Sequence, residues 1–153
     1  MYKLYYSPGV CSFAVHAALN ELNTPFELIN VADSKEFKDI NPRGAVPVLD
    51  IDGFILREGS AILTHLLDTH DNDLLPKSDL QRAAALEWLA FANATLHPAY
   101  GRIFFMRKTL GADQATQNAL YKPAIAKIQD HWDEIEQLLQ NQEYLAGEKL
   151  TIA

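Results

Sequence analysis

Cysteine is nearly absent: Cys11 stands alone among 153 residues, so no disulfide can form within the chain. That usage fits a compartment where thiols stay reduced. Basic residues are short too. Thirteen Lys and Arg stand against twenty Asp and Glu, and the formal net charge of −7 argues against a nucleic-acid footprint. No run approaches the roughly 18 uninterrupted apolar residues of a membrane span. Met1-Tyr2-Lys3-Leu4-Tyr5-Tyr6 lacks the charged-then-apolar pattern of a secretory leader. No Gly-rich phosphate loop follows any predicted strand, so no nucleotide is implied. His65, His70 and His131 lack the spacing with acids or cysteines that a metal site needs. There is no internal repeat and no low-complexity tract. The composition describes an acidic, soluble, globular chain of the cytoplasm.

What is present is unevenly spread. Residues 1–76 hold five basic and eleven acidic side chains, residues 77–153 eight and nine. Five of the seven prolines lie in the first half. Short segments bounded by turn residues fill that half, and two long helical patterns fill the second. The contrast places a domain boundary near His70-Asp71-Asn72-Asp73 through Pro76-Lys77-Ser78, with domains at 1–76 and 79–153.

Lys3 to Tyr6 reads as a first strand, ended by Ser7-Pro8-Gly9. A helix starts near Ser12 and stops before Pro25, and Phe26 to Val31 reads as a second strand. Asp33 to Phe37 is expected to hold a short helix or a turn. Asp52-Gly53, between Pro47–Ile51 and Phe54–Arg57, signals a hairpin, because that dipeptide supplies positive φ values. Ser60 to Thr69 carries Ile62, Leu63, Leu66 and Leu67 on one helical stripe. The order is β-α-β-(α)-β-β-α, a small mixed-sheet α/β domain. Leu80, Ala83, Ala84, Trp88, Phe91 and Thr95 then follow a helical period towards Lys108, with Pro98 expected to kink or split it. Gly111-Ala112-Asp113 restarts the chain. Ala124, Ile125, Ile128, Trp132, Ile135, Leu138 and Leu139 mark a second long helix, with Trp132 turned inward in an otherwise solvated stretch.

Three stretches carry chemistry. In Tyr5-Tyr6-Ser7-Pro8-Gly9-Val10-Cys11-Ser12, Cys11 falls at a helix N-terminus, where free N–H groups and the helix dipole favour a thiolate. Tyr6, at the strand's end, aims a hydroxyl into the same crevice. The plain alternative is a small buried Cys11 and a packed Tyr6. In Asn41-Pro42-Arg43-Gly44-Ala45-Val46-Pro47-Val48, a proline opens a strand. A cis bond there would turn the Val46 backbone outward, although only about 5–6% of X-Pro bonds are cis. In Arg57-Glu58-Gly59-Ser60, a helix start suits a carboxylate and Glu58 suits an ammonium, together an α-amino-acid head group. A simple cap explains the same residues.

In this order and spacing, the three stretches resemble the glutathione S-transferases. The Tyr-Ser-Pro-Gly-Val-Cys-Ser run with His16, and Glu87-Trp88-Leu89 with His97 further along, look most like the bacterial beta class. The resemblance spans essentially the whole chain. It implies a thioredoxin-like N-terminal domain (βαβαββα) that binds glutathione, followed by an all-α domain that is incomplete here. It further implies a homodimer whose substrates are glutathione and a small apolar electrophile, with no metal, nucleic acid or membrane involved.

Residue by residue, the resemblance places Cys11 against the glutathione sulfur and matches Tyr6 to a thiol hydrogen-bond donor of other classes. Val46, before the family's cis-proline Pro47, pairs its backbone with the cysteinyl residue. Glu58 and Gly59 match the acidic-small pair that grips the γ-glutamyl group. That pair is often Glu-Ser, so here Gly59 offers only its N–H and Ser60 a hydroxyl. Lys35 matches a residue that neutralises the glycyl carboxylate, although the segment between Val31 and Asn41 is shorter than in beta-class relatives. His97 matches a helical histidine lining the site, with Pro98 in place of the usual lysine. Tyr100, Phe104, Phe105 and Met106 offer the apolar side. Leu150-Thr151-Ile152-Ala153 resembles the family's Thr-Ile-Ala-Asp element, which implies a chain shortened near its central helix, with an apolar face exposed there. Three activities fit these residues: conjugation of the glutathione thiolate, thiol–disulfide exchange through Cys11, and non-catalytic binding on the same scaffold.

Overall fold

The computed structural model describes residues 1–109, 111 and 113–153, and only the backbone of residues 108 and 109. Ala112 of the expected chain restart therefore lies outside the described residues. The chain divides into two compact units, Met1–Leu75 with Ile152, and Pro76–Thr151 with Ala153.

The first unit runs β1 (Tyr2–Tyr6), α1 (Ser12–Glu21), β2 (Phe26–Asn30), α2 (Phe37–Ile40), β3 (Val48–Ile51), β4 (Phe54–Arg57) and α3 (Gly59–Thr69). Its sheet has the order β2-β1-β3-β4. Strand β1 pairs parallel with β2 and antiparallel with β3, and β3 pairs antiparallel with β4. Side chains alternate across the sheet. Tyr5 and Val48, opposite one another, pack with Phe37 of α2. Leu4 and Leu49, the neighbouring pair, are fully buried on the other face, with Val15 and Leu19 of α1 and Ile62 and Leu66 of α3. Each such aliphatic residue contributes roughly 1.5–3 kcal/mol of burial. The sheet therefore carries helices on both faces.

The β3–β4 turn forms as its dipeptide dictates. Asp52 and Gly53 have φ of 50° and 95°, and the Gly53 N–H donates to Asp50 Oδ1 at 2.6 Å. The segment after β2 begins as turns: the Asp33 N–H donates to the Asn30 carbonyl, and the Ala32 N–H to Asn30 Oδ1. Helix α2 starts at Phe37, where Asp33–Phe37 was expected to end, because Phe37 is the residue that reaches the Tyr5–Val48 core.

The second unit holds α4 (Asp79–Phe91), a π-turn (Ala92–Leu96), α5 (His97–Thr109) and α6 (Gln114–Leu139). Pro98 splits the run as expected. Having no N–H for the carbonyl four residues back, it is preceded at once by the wider π-turn. Asp113 caps α6 through a 2.9 Å hydrogen bond from the Thr116 N–H.

Two expectations are corrected here. Ala85 and Leu89 are the buried residues of α4, whereas Leu80 is 85% exposed. The run of alanines at 83–85 gives no size signal to fix the phase of the apolar stripe. Trp132 is not turned inward. It is 44% exposed, and its indole N–H donates to the Tyr100 hydroxyl at 2.8 Å. An indole N–H needs an acceptor, and the phenol of α5 supplies one at the surface. On α6, Ile128 and Ile135 are buried while Ile125 is exposed.

Candidate active site

The loop between β1 and α1 is held from inside by Ser12. Its hydroxyl, buried, accepts from the Ser7 N–H at 3.3 Å and donates to the Ser7 carbonyl at 3.1 Å. Gly9, at φ 71°, lets the chain reverse between them. Cys11 follows at the N-cap of α1 and is exposed, so it is not the buried small residue of the plain reading. Its side chain does not cap the helix. The Sγ–H instead donates to the Val46 carbonyl oxygen at 3.2 Å.

Val46 precedes Pro47 through a cis peptide bond. The loop that delivers it is fixed by Asn41, a buried polar residue. Asn41 Nδ2 donates to the Ala45 carbonyl at 2.7 Å, and the Gly44 N–H donates to the Asn41 carbonyl at 2.8 Å. Arg57, at the end of β4, closes the arrangement. Its Nε donates to Asn41 Oδ1 at 3.2 Å and its Nη2 to the Ile40 carbonyl at 2.7 Å.

Pro47 also borders the third stretch. A Cβ on Gly59 would lie 3.6 Å from Pro47 Cγ, ordinary contact distance. Glu58, the N-cap of α3, adopts φ 70° and ψ 117°, a conformation that side-chain-bearing residues rarely adopt. Its carbonyl accepts the first helical N–H, from Ile62, at 3.0 Å. Its carboxylate pairs with Arg43, Nη1 to Oε1 at 2.9 Å.

Contacts thus link Cys11 to Val46, and the buried Pro47 to Gly59, with Glu58 before it and Ser60 next in the first turn of α3. Tyr6 is half-buried at the end of β1, and among the described residues nothing hydrogen-bonds its hydroxyl. Its neighbour Tyr5 belongs to the core; burial, with Asp50 nearby, pushes that phenol's pKa up. Lys35 is exposed in the turns before α2, with no ion-pair partner among the described residues. His97 is exposed at the start of α5, in the other unit. Sequence reasoning gave no role to Ser12, Asn41, Arg43 or Arg57. Asn-Pro-x-Gly was a legible turn signal, but Arg43 and Arg57 find their partners in other segments, and Ser12 closes its own loop on the Ser7 backbone.

In the helical unit, a cleft of about 840 Å³ runs between α5 and α6, lined by Ala99, Phe105, Met106, Leu120 and Ala124, with Arg102 and Lys127 also on its wall. Among the described residues, no group of three or more His, Cys, Asp or Glu side chains is placed to hold a metal ion. No helix, among those residues, is long and apolar enough to cross a membrane.

A βαβαββα unit with the sheet order β2-β1-β3-β4, followed by helices, defines a thioredoxin-like domain with a helical unit after it. Residues 2–74 match the glutathione S-transferase N-terminal domain. The chain is 34% identical over 155 residues to glutathione S-transferase GST-4.5 of Xanthomonas campestris pv. campestris, covering 97% of this chain and 76% of that one. Among solved structures, the glutathione S-transferase from Xylella fastidiosa superposes with a TM-score of 0.88 at 27% identity, over 99% of this chain and 77% of that one. A glutathione transferase homologue from Sulfitobacter, solved with bound glutathione, gives a TM-score of 0.83 at 25% identity, over 99% and 76%. The chain belongs to the glutathione S-transferase family.

Proposed function

We propose that the chain binds glutathione on the surface formed by Cys11, Val46 and Glu58, and conjugates its thiolate to small apolar electrophiles, as an enzyme of the bacterial beta class. The observation that carries the reading is the junction of three separate stretches: Cys11 Sγ lies 3.2 Å from the Val46 carbonyl, and Pro47 abuts the Glu58–Gly59 start of α3. A peptide thiol with an amino-acid head group needs those three elements together.

In this reading, the Val46 backbone pairs with the cysteinyl residue, Glu58 takes the γ-glutamyl ammonium, and the N–H groups of Gly59 and Ser60 with the Ser60 hydroxyl meet its carboxylate. Lys35 neutralises the glycyl carboxylate. Cys11 lies against the glutathione sulfur, and Tyr6 is a hydrogen-bond donor to it. Glutathione releases its thiol proton to solvent, the sulfur attacks an electrophilic carbon, and the leaving group departs with the bonding electron pair. Residues 1–76 carry glutathione and residues 79–153 the apolar co-substrate, with Phe105 and Met106 in the α5–α6 cleft as its surface. The protein acts as a homodimer in the reducing cytoplasm.

The exposure of Cys11 favours a second reading, thiol–disulfide exchange, in which the Cys11 sulfur attacks a glutathione-containing disulfide and expels the other thiolate. Conjugation of glutathione to a chromogenic aryl halide by wild type, Cys11→Ala and Tyr6→Phe, beside reduction of a mixed disulfide, separates the two. Conjugation that survives in Cys11→Ala while disulfide reduction is lost assigns both chemistries. Absence of conjugation in a folded wild type that binds immobilised glutathione removes the first.

A further inference from the structure

Arg43 and Glu58 form an ion pair at the start of α3. The two side chains are 71% and 66% exposed and 2.9 Å apart. Exposed ion pairs contribute little to folding, yet both backbones are held firmly. Gly44, at φ 65°, and the Asn41 hydrogen bonds fix the loop carrying Arg43, while Glu58 is held at φ 70° as the N-cap of α3. The other nearby guanidinium, Arg57, is committed to Asn41 and Ile40. Arg43 spends one of its five N–H donors on Glu58, and Glu58 keeps its second oxygen.

A cation and an anion fixed side by side complement a zwitterion. We propose that Arg43 binds the α-carboxylate of the ligand's γ-glutamyl group while Glu58 takes the adjacent ammonium, the four charges alternating. This rests on the glutathione reading. It also answers the absence of a hydroxyl at Gly59: a planar guanidinium supplies a two-pronged donor to a carboxylate, stronger than the single bond of a serine. The chemistry recognised is the α-amino-acid head group, and Arg43 selects ligands that carry it.

The test is calorimetric binding to the full chain, wild type against Arg43→Met and Arg43→Lys. The probes are glutathione, γ-aminobutyryl-Cys-Gly, which lacks the α-carboxylate, and γ-Glu-Cys, which lacks the glycyl carboxylate. Arg43→Met is expected to weaken glutathione and γ-Glu-Cys about tenfold, the loss of one charge-assisted contact, and to leave γ-aminobutyryl-Cys-Gly unchanged. Arg43→Lys recovers part of the loss. Equal losses on all three probes, no loss on any, or a loss confined to the two peptides that contain glycine would overturn the proposal while glutathione binding itself stands. Failure of folded wild type to bind glutathione overturns the underlying reading and this one with it. Arg43 is exposed, so an unchanged melting temperature separates loss of contact from loss of fold.

Discussion

Cys11 donates its thiol to the carbonyl oxygen of Val46, 3.2 Å away and 35 positions along the chain. The contact ties the loop that opens α1 to the loop that opens β3. It leaves the sulfur at the surface, at the meeting point of the elements that would hold a peptide ligand.

Cys11 is therefore open to alkylation. Treatment with iodoacetamide should add a single carbamidomethyl group, detected by mass spectrometry, and none in Cys11→Ser. Saturating S-methylglutathione, whose blocked sulfur cannot consume the reagent, should slow the reaction severalfold by covering Cys11. Labelling at the same rate with and without it would place the ligand elsewhere.

The backbone at Glu58 is strained in favour of the site. With φ 70° and ψ 117°, Glu58 sits at a positive φ that crowds a Cβ, a clash that glycine escapes. Glu58→Gly should raise stability by roughly 1 kcal/mol in chemical denaturation, and abolish glutathione binding. Glu58→Gln keeps the strain and removes the charge, so it should bind as poorly without the gain in stability.

Asn41 is buried and ties the loop before β3 to the end of β4 through its amide. Asn41→Ala leaves the Ala45 carbonyl and one Arg57 donor unanswered, at a cost of about 2 kcal/mol. The loosened loop should also raise KM for glutathione more than it lowers kcat. A variant with wild-type stability would show that water replaces the amide without loss.

Asp113 caps α6 through the Thr116 N–H and hydroxyl, and those hydrogen bonds hold its carboxyl below the ordinary value of 3.8. A carboxyl depressed in the folded state contributes stability above its unfolded value, and loses it as pH falls through the lower folded one. The protection of the Thr116 amide, its exchange rate relative to the intrinsic rate at the same pH, should therefore hold at neutral pH and fall only below 3.8. In Asp113→Ala that protection should be reduced at every pH. Protection that is lost well above that value would contradict the cap.

Much of the fold was legible because its signals are local. Asp52-Gly53 fixes two positive φ values next to each other, Pro25 stops a helix before β2, and Pro98 removes a helical N–H. The phase of α4 was not legible, since three consecutive alanines bury as readily on any side. Neither was the start of α2, which Phe37 sets by reaching a core made of Tyr5 and Val48. The site shows the same division. Its three stretches could be read one at a time, and the cis bond at Val46-Pro47 was one of two open isomers. The supporting pairs, Asn41 with Arg57 and Arg43 with Glu58, join residues 16 and 15 positions apart. No spacing rule connects loops at that range; only the sheet register does.

The sheet's connectivity also bears on how the chain comes off the ribosome. Strand β1, made first, lies at the sheet's centre between β2 and β3, and Tyr2 finds its antiparallel partner only in Ile51. The parallel β1–β2 pair can gather early through α1, but one side of β1 stays unpaired until β3 has been synthesised. Contacts so distant in sequence close slowly. Until they do, the nascent chain presents a hydrogen-bonding edge with Leu4 and Tyr5 uncovered, and that is the interval in which a chaperone has most to protect.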